Sequence, residues 1–203
     1  MPGMVIPGRG MSGPGDWPAI FGRRAPLVVE IGFGKDDFLL ARAAACPERD
    51  HVGVERDPER VRTFLRRAAE RGLTNVRALP VSAELALSQC FEEHSVAEIH
   101  VYFPDPWPKE RHARNRVVQA WFAEAVHRVL APDGVLRLAT DDGPYAAQML
   151  GVLDTGVWFQ NLAGKGGVSD TPLLGWETKF ERLWRGKGRT IRHLAFAPAT
   201  VSL

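Results

Sequence analysis

LVVEIGFG, at residues 27–34, is the stretch from which the fold of this chain follows. Its first five residues form an apolar run typical of a buried strand, and its two glycines predict a tight turn. Residues 36–45 then form a predicted helix whose first turn carries two acids, which suit the positive end of a helix dipole. A strand, a glycine turn and a helix in this order predict the first βα unit of a parallel sheet.

The alternation of strand and helix continues along the chain. We expect further strands at residues 52–55, 76–80, 99–103 and 135–139, and helices at residues 58–71, 83–91 and 116–130. The turn signal Pro132-Asp133-Gly134 ends the last helix, and Trp121 and Phe122 lie on its apolar face, which predicts that both are in the core. The pattern predicts an α/β fold, a mostly parallel sheet with helices on both faces.

Length and composition favour one domain. The chain has 203 residues, 45% hydrophobic and 25% charged, and we expect a flexible arm at residues 1–16, rich in glycine and proline, and a single domain at residues 17–203. Cys46 and Cys90 lie far apart without metal-ligand spacing, so we expect no metal site, no disulfide and a reducing cytoplasm. No run approaches the roughly 18 apolar residues of a membrane span, so no membrane association is expected.

Polar residues and glycines occur where the predicted strands end. In chain order they are Glu30, Gly32, Gly34, Glu55, Ser82, Asp105 and Asp141. The ligands of parallel α/β sheets bind beyond the carboxyl ends of the strands. The sequence therefore predicts one binding rim.

The first two strand ends indicate a nucleoside. Gly32 and Gly34 lack Cβ atoms, so a ligand can approach their backbone, and Glu55 could accept hydrogen bonds from both hydroxyls of a ribose. A dinucleotide fold would have a third glycine at position 37. Asp37 occupies that position, beside Asp36, and the two carboxylates would repel a pyrophosphate. A cationic nucleoside, S-adenosylmethionine, fits better. The alternative is a structural turn with surface acids.

The segment YFPDPWPK, residues 102–109, follows the fourth predicted strand. Its three prolines stop the strand and stiffen the loop, which would hold Asp105 and an exposed Trp107 in one geometry. The alternative is a proline-rich turn whose Trp107 caps the core.

Four motifs in this order resemble the bacterial tRNA (guanine-N7)-methyltransferases: VEIGFG at 29–34, FPDPWPK at 103–109, ATD at 139–141 and TKFE at 178–181. The similarity covers about residues 16–185. It implies a Rossmann-like class I methyltransferase fold, S-adenosylmethionine as methyl donor, and methylation of a variable-loop guanosine in tRNA.

The resemblance also implies roles for individual residues. Glu30, Glu55, Ser82 and Asp105 match cofactor-contacting positions beside the glycine turn, and Lys109, Asp141, Thr178 and Glu181 match substrate-contacting ones. Guanine N7 carries no proton, so its methylation needs positioning and no general base. Asp105 is the expected catalytic residue, because a carboxylate that accepts hydrogen bonds from the base's N1 and amino edge binds the cationic transition state more tightly. Asp141 or Glu181 could do the same.

Two basic groups follow these motifs: Lys109, Arg111, His112, Arg114 and Arg116, and then Lys179, Arg182, Arg185, Lys187, Arg189 and Arg192. We expect both groups to flank one cleft and neutralise RNA phosphates, with Trp107 or Trp184 stacking on an extruded base. The alternative for each is a solvated charged face.

The chain also departs from the family pattern. Asp36 replaces a usual glycine, Ser82 replaces a usual aspartate, Asn115 interrupts a basic pair, and the basic N-terminal segment is shorter. Two other functions therefore stay open: an S-adenosylmethionine enzyme acting on another RNA or a small molecule, and a non-catalytic RNA-binding module of the same fold.

Overall fold

The computed structural model describes residues 14–171, 175 and 177–199. Its strands are β1 (Leu27–Ile31), β2 (Asp50–Val54), β3 (Val76–Leu79), β4 (Val96–Tyr102), β5 (Leu130–Thr140), β6 (Phe159–Asn161) and β7 (Arg192–Pro198). Its helices are α1 (Trp17–Phe21), α2 (Phe38–Ala45), α3 (Pro58–Glu70), α4 (Ala83–Gln89), α5 (Ala120–Val129), α6 (Gly143–Leu153) and α7 (Lys179–Gly186), with a 3-10 helix at Glu110–Asn115. Residues 1–13 of the predicted arm lie outside the described part of the chain.

The seven strands form one sheet in the order β3-β2-β1-β4-β5-β7-β6. Strands β1 to β5 pair in parallel, whereas β7 runs antiparallel to both β5 and β6. The predicted mostly parallel sheet is confirmed. From β1 the next strands are added on one side as β2 and β3, and from β4 on the other side. The carboxyl ends of β1 and β4 therefore form the switch point where such sheets bind ligands.

Two apolar clusters cover the sheet. The larger one includes Ile99, Phe122 and Tyr145 and joins α4, α5 and α6 to the central strands. The smaller one includes Phe33 and Phe64 and lies beneath α2 and α3. Helices thus cover both faces, as the alternation predicted. Among the described residues, no helix is long and apolar enough to span a membrane.

Helix α5 begins four residues later than predicted. Arg116 has extended backbone, and the Val118 N–H donates to the Tyr145 hydroxyl at 3.1 Å, so this segment bonds to α6 before the helix starts. The prediction that Trp121 is in the core was wrong, since 37% of it is exposed. Neighbouring helix residues point about 100° apart, and Phe122 occupies the core-facing position.

Other boundaries also differ from the predictions: β2 begins two residues earlier and β4 three residues earlier. Helix α2 begins at Phe38, so Asp36 and Asp37 precede it. The predicted turn at residues 132–134 lies within β5: Val96 pairs with Leu130 and Glu98 with Val135, so residues 131–134 form a large bulge opposite one residue of β4. The predicted strand is the regular second part of β5.

Candidate active site

The carboxyl ends of β1 to β5 meet at one rim of the sheet. Glu30 lies in β1, Glu55 follows β2, Ser82 follows β3, Asp105 follows β4 and Asp141 follows β5. Because these five strands are parallel neighbours, all five residues come to the same edge. The structure therefore brings together residues that the sequence spreads over more than 100 positions.

The glycine turn after β1 is held against Glu55. Gly32 and Gly34 have φ of 75° and 58°, in the left-handed region that glycine adopts without strain. The Gly34 N–H donates to Oε2 of Glu55 at 3.2 Å, and Asp57 N–H donates to Oε1 at 3.0 Å. Glu55 is buried, and its carboxylate is fixed at the turn.

Glu30 is a buried carboxyl behind the same turn. Only 3% of it is exposed, and its Oε2 has no hydrogen-bond partner within the described part of the chain. Burial, followed by the negative charge of Asp36, raises the pKa of Glu30 to about 8. A cationic ligand would reverse this effect, because it would stabilise the carboxylate.

Ser82 occupies a more open part of the rim. It is exposed at the N-terminus of α4, where its hydroxyl accepts a hydrogen bond from the Leu85 N–H at 3.2 Å. This N-cap bond accounts for a serine at the position.

The proline loop after β4 is strained. Phe103 and Trp107 have φ of 48° and 43°, a conformation that costs non-glycine residues about 1–3 kcal/mol each. Asp105, between them, is exposed. Trp107 is half-buried, with its ring 5.9 Å from that of His112, so it is less exposed than predicted.

Arg116 holds this loop in place. Its Nε donates to the Pro106 carbonyl at 2.7 Å, and its Nη1 donates to Oε1 of Gln148 on α6 at 2.5 Å. The guanidinium also lies 5.1 Å from the Tyr145 ring centroid. Arg116 was grouped with phosphate-binding residues from the sequence, but its donors are directed into the protein.

Helix α7 begins at the TKFE motif. The Thr178 hydroxyl accepts from the Glu181 N–H at 3.0 Å and caps the helix. Glu181 is fully buried: Oε1 accepts from His193 Nε2 at 2.9 Å and from Arg185 at 2.8 Å, while Oε2 has no partner among the residues described. These contacts fasten α7 to β7 and leave one carboxylate oxygen unused.

Asp141, at the end of β5, forms an ion pair with Arg189. The Arg189 guanidinium lies 4.2 Å from the Trp184 ring centroid, and the Lys187 ammonium lies 4.6 Å from it. Asp141 and Trp184 are thus linked through one arginine, close to both β5 and α7.

The basic groups divide into two kinds. Arg116, Arg185 and Arg189 bind protein groups. Six other members are exposed and form no ion pair with any residue that the structure describes: Lys109, Arg111, Arg114, Lys179, Arg182 and Lys187. The second kind is the one suited to phosphates.

Three contributors to the site were not predicted: Asp36, Arg116 as a loop support, and His193. Asp36 accepts hydrogen bonds from the backbone N–H groups of Lys179 and Phe180 of α7. Lys179 is 143 residues away from Asp36 in the sequence. No local pattern could identify such contacts. The only signal in the sequence was that Asp36 departs from the usual glycine.

This fold is found in solved RNA methyltransferase structures. A single-residue mutant of the 16S rRNA (adenine(1408)-N(1))-methyltransferase from Catenulisporales acidiphilia aligns with a TM-score of 0.61 at 18% identity, over 91% of this chain and 90% of the other. The antibiotic-resistance methyltransferase Kmr aligns with a TM-score of 0.62 at 21% identity, over 92% and 93%. These similarities show that the chain has the Rossmann-like class I methyltransferase fold, as predicted.

Residues 24–194 match the family described as a putative methyltransferase. A tRNA (guanine-N(7)-)-methyltransferase from Leifsonia xyli subsp. xyli is 45% identical over 90% of this chain and 81% of its own length. One from Pseudomonas fluorescens Pf-5 is 41% identical over 90% and 76%. The chain belongs to the tRNA (guanine-N7)-methyltransferase family, which confirms the resemblance seen in its motifs.

Proposed function

We propose that this protein transfers a methyl group from S-adenosylmethionine to N7 of a variable-loop guanosine in tRNA. The observation that carries the proposal is the 45% identity to a tRNA (guanine-N(7)-)-methyltransferase over nine-tenths of the chain. The rim supports it, because acids lie around a glycine turn, which suits a cationic nucleoside. A cytoplasmic location follows from a tRNA substrate.

The cofactor is assigned to the β1, β2 and β3 ends. Gly32 and Gly34 admit it to the turn's backbone, and Glu55 accepts hydrogen bonds from the ribose hydroxyls. Glu30 faces the cationic methionine part, and Ser82 lies on the adenine side. The buried position of Glu55 supports this assignment, because a fixed carboxylate is already oriented for two hydroxyls.

The reaction is a direct transfer. The N7 lone pair forms a bond to the methyl carbon as the carbon–sulfur bond breaks, so the sulfonium becomes a neutral thioether and the guanine becomes a cation. No proton leaves N7, and no general base is needed. Holding the two reactants in line can supply about 7–11 kcal/mol of the barrier.

Asp105 is assigned as the catalytic residue. Its carboxylate accepts hydrogen bonds from guanine N1 and the amino group, which become more acidic as positive charge develops on the base. The strained loop and the Arg116 contacts support this role, because they hold Asp105 in place before the substrate arrives. Asp105 also lines the cofactor side of the site.

The tRNA is assigned to the rim beyond Asp105. Lys109 contacts phosphate, and Asp141, Thr178 and Glu181 contact the base or its ribose. The match of the ATD and TKFE motifs to substrate-contacting positions of the family supports these three assignments. Asp141 is paired with Arg189, and a phosphate that binds Arg189 would free Asp141 for the guanine.

The test combines labelled S-adenosylmethionine with two transcripts of one unmodified tRNA. The first carries ordinary guanosine and should yield 7-methylguanosine after digestion. The second carries 7-deazaguanosine, which lacks N7, and should bind equally well but take up no label. Label in the second transcript would contradict N7 as acceptor. Cofactor binding without label in either would mean that the acceptor is another molecule.

A further inference from the structure

Asp36 connects the glycine turn to helix α7. Its Oδ2 accepts hydrogen bonds from the backbone N–H groups of Lys179 and Phe180 at 2.7 Å and 3.3 Å. Its Oδ1 accepts from the N–H of Phe38, the first residue of α2, at 3.0 Å. One carboxylate thus holds the N-terminal ends of two helices.

These bonds complete the cap of α7 from outside its own segment. The first N–H groups of a helix have no partner within it, and the N-terminus attracts negative charge. Thr178 satisfies the Glu181 N–H, but the N–H groups of Lys179 and Phe180 bond to Asp36. The first turn of α7 therefore depends on where Asp36 is held.

Asp36 is itself held in place by the glycine turn. Its N–H donates to the Phe33 carbonyl at 3.2 Å, between Gly32 and Gly34. Its charge also acts on Glu30, the buried carboxyl behind the turn. On the other side, the Phe180 ring centroid lies 6.2 Å from that of Phe103, which begins the proline loop. The start of α7 thus contacts both halves of the site.

We propose that Asp36 is a positioning residue that couples the cofactor site to helix α7, so that S-adenosylmethionine and tRNA bind cooperatively. A bound cofactor fixes the turn and the Asp36 carboxylate, and the carboxylate fixes the N-terminus of α7, where Thr178 and Glu181 meet the substrate. The coupling is reciprocal, as linkage requires. The inference rests on the proposed tRNA substrate.

The variant that isolates this role is Asp36→Asn. An amide has one oxygen, so it can keep the local bond to Phe38 but not also accept from Lys179 and Phe180, and its NH₂ would face their N–H groups. Asp37→Asn is the matched control. Asp37 is the adjacent carboxylate, and it pairs with Arg67 of α3 and with Arg71, the residue after α3, instead of with α7.

The measurement is the dissociation constant of S-adenosylhomocysteine by calorimetry, without tRNA and with saturating unmodified tRNA. In the wild type and in Asp37→Asn, tRNA should tighten binding at least about fivefold, the lower range of known couplings. In Asp36→Asn the ratio should fall to about one. A wild-type ratio of one, an unchanged ratio in Asp36→Asn, or equal loss in Asp37→Asn would each overturn the proposal.

A second measurement needs no tRNA. Hydrogen exchange at the Lys179 and Phe180 amides should slow when S-adenosylhomocysteine binds the wild-type protein, and should not respond in Asp36→Asn. Unchanged exchange in the wild type would refute the coupling even if the variant failed to fold. Wild-type protein that forms 7-methylguanosine without coupling refutes this inference alone, whereas protein that methylates no tRNA refutes the proposed function.

Discussion

Glu30→Gln should remove a pH dependence of stability that the buried carboxyl creates. The pKa of Glu30 is raised from 4.5 to about 8 in the folded protein, so the folded state keeps a proton that the unfolded state has lost. Stability from this group is fully present below pH 4.5 and falls as pH rises through about 8. The amide has nearly the same shape but cannot ionise.

The magnitude follows from the two pKa values. Between them, stability falls by about 1.4 kcal/mol per pH unit, and the fall flattens near the folded pKa. From pH 6.5 to pH 8 the wild type should lose about 1–2 kcal/mol that Glu30→Gln does not lose. The buried His51 acts in the opposite direction, because its pKa is lowered to about 4, but its effect ends near pH 6.5.

The assay is urea unfolding of both proteins at several pH values between 6.5 and 8. The difference between the two free energies of unfolding should change by about 1–2 kcal/mol across this range. Parallel curves would show that Glu30 is ionised in the folded protein at neutral pH, and would refute the account of its burial.

Three further variants test the site itself. Asp105→Asn should lower single-turnover methyl transfer by about 100-fold or more and change stability by less than about 0.5 kcal/mol; a variant that unfolds would show that Asp105 is structural. Glu55→Gln should raise the dissociation constant of S-adenosylhomocysteine by about tenfold, because a charge-assisted hydrogen bond is lost, while tRNA affinity stays within about twofold; equal losses would contradict the ribose assignment. Arg116→Lys should lower kcat by up to about 100-fold, because the proline loop is displaced, and should not weaken cofactor binding. An unchanged kcat would mean that the loop keeps its geometry without Arg116.

The parts of this fold that could be predicted are those that depend on local signals. Strand β1 has its predicted bounds, and α3 begins at Pro58 and ends just before Gly72, because proline and glycine mark helix ends directly. The rim was predicted because parallel strands place their carboxyl ends together. Each strand and helix was predicted from a pattern within its own segment, and the rim followed from the rule for parallel strands.

The parts that could not be predicted depend on contacts between distant segments. Strand β7 inserts antiparallel between β5 and β6, and nothing in its own sequence specifies those neighbours. From the sequence, Arg116 was interpreted as one more cation of a basic group. In the structure it donates hydrogen bonds to the Pro106 carbonyl and to the Gln148 side chain. From the sequence, Asp36 was interpreted only as a departure from the family pattern, whereas in the structure it caps α7.

The position of the methyl group tests the central claim most directly. Borohydride reduction followed by aniline cleaves RNA where guanosine carries a methyl group at N7, so methylated tRNA can be mapped on a sequencing gel. The account predicts one new cleavage, at a guanosine in the variable loop, after incubation with the wild-type protein and not with Asp105→Asn. Labelled tRNA without such a cleavage, or cleavage outside that loop, would contradict it.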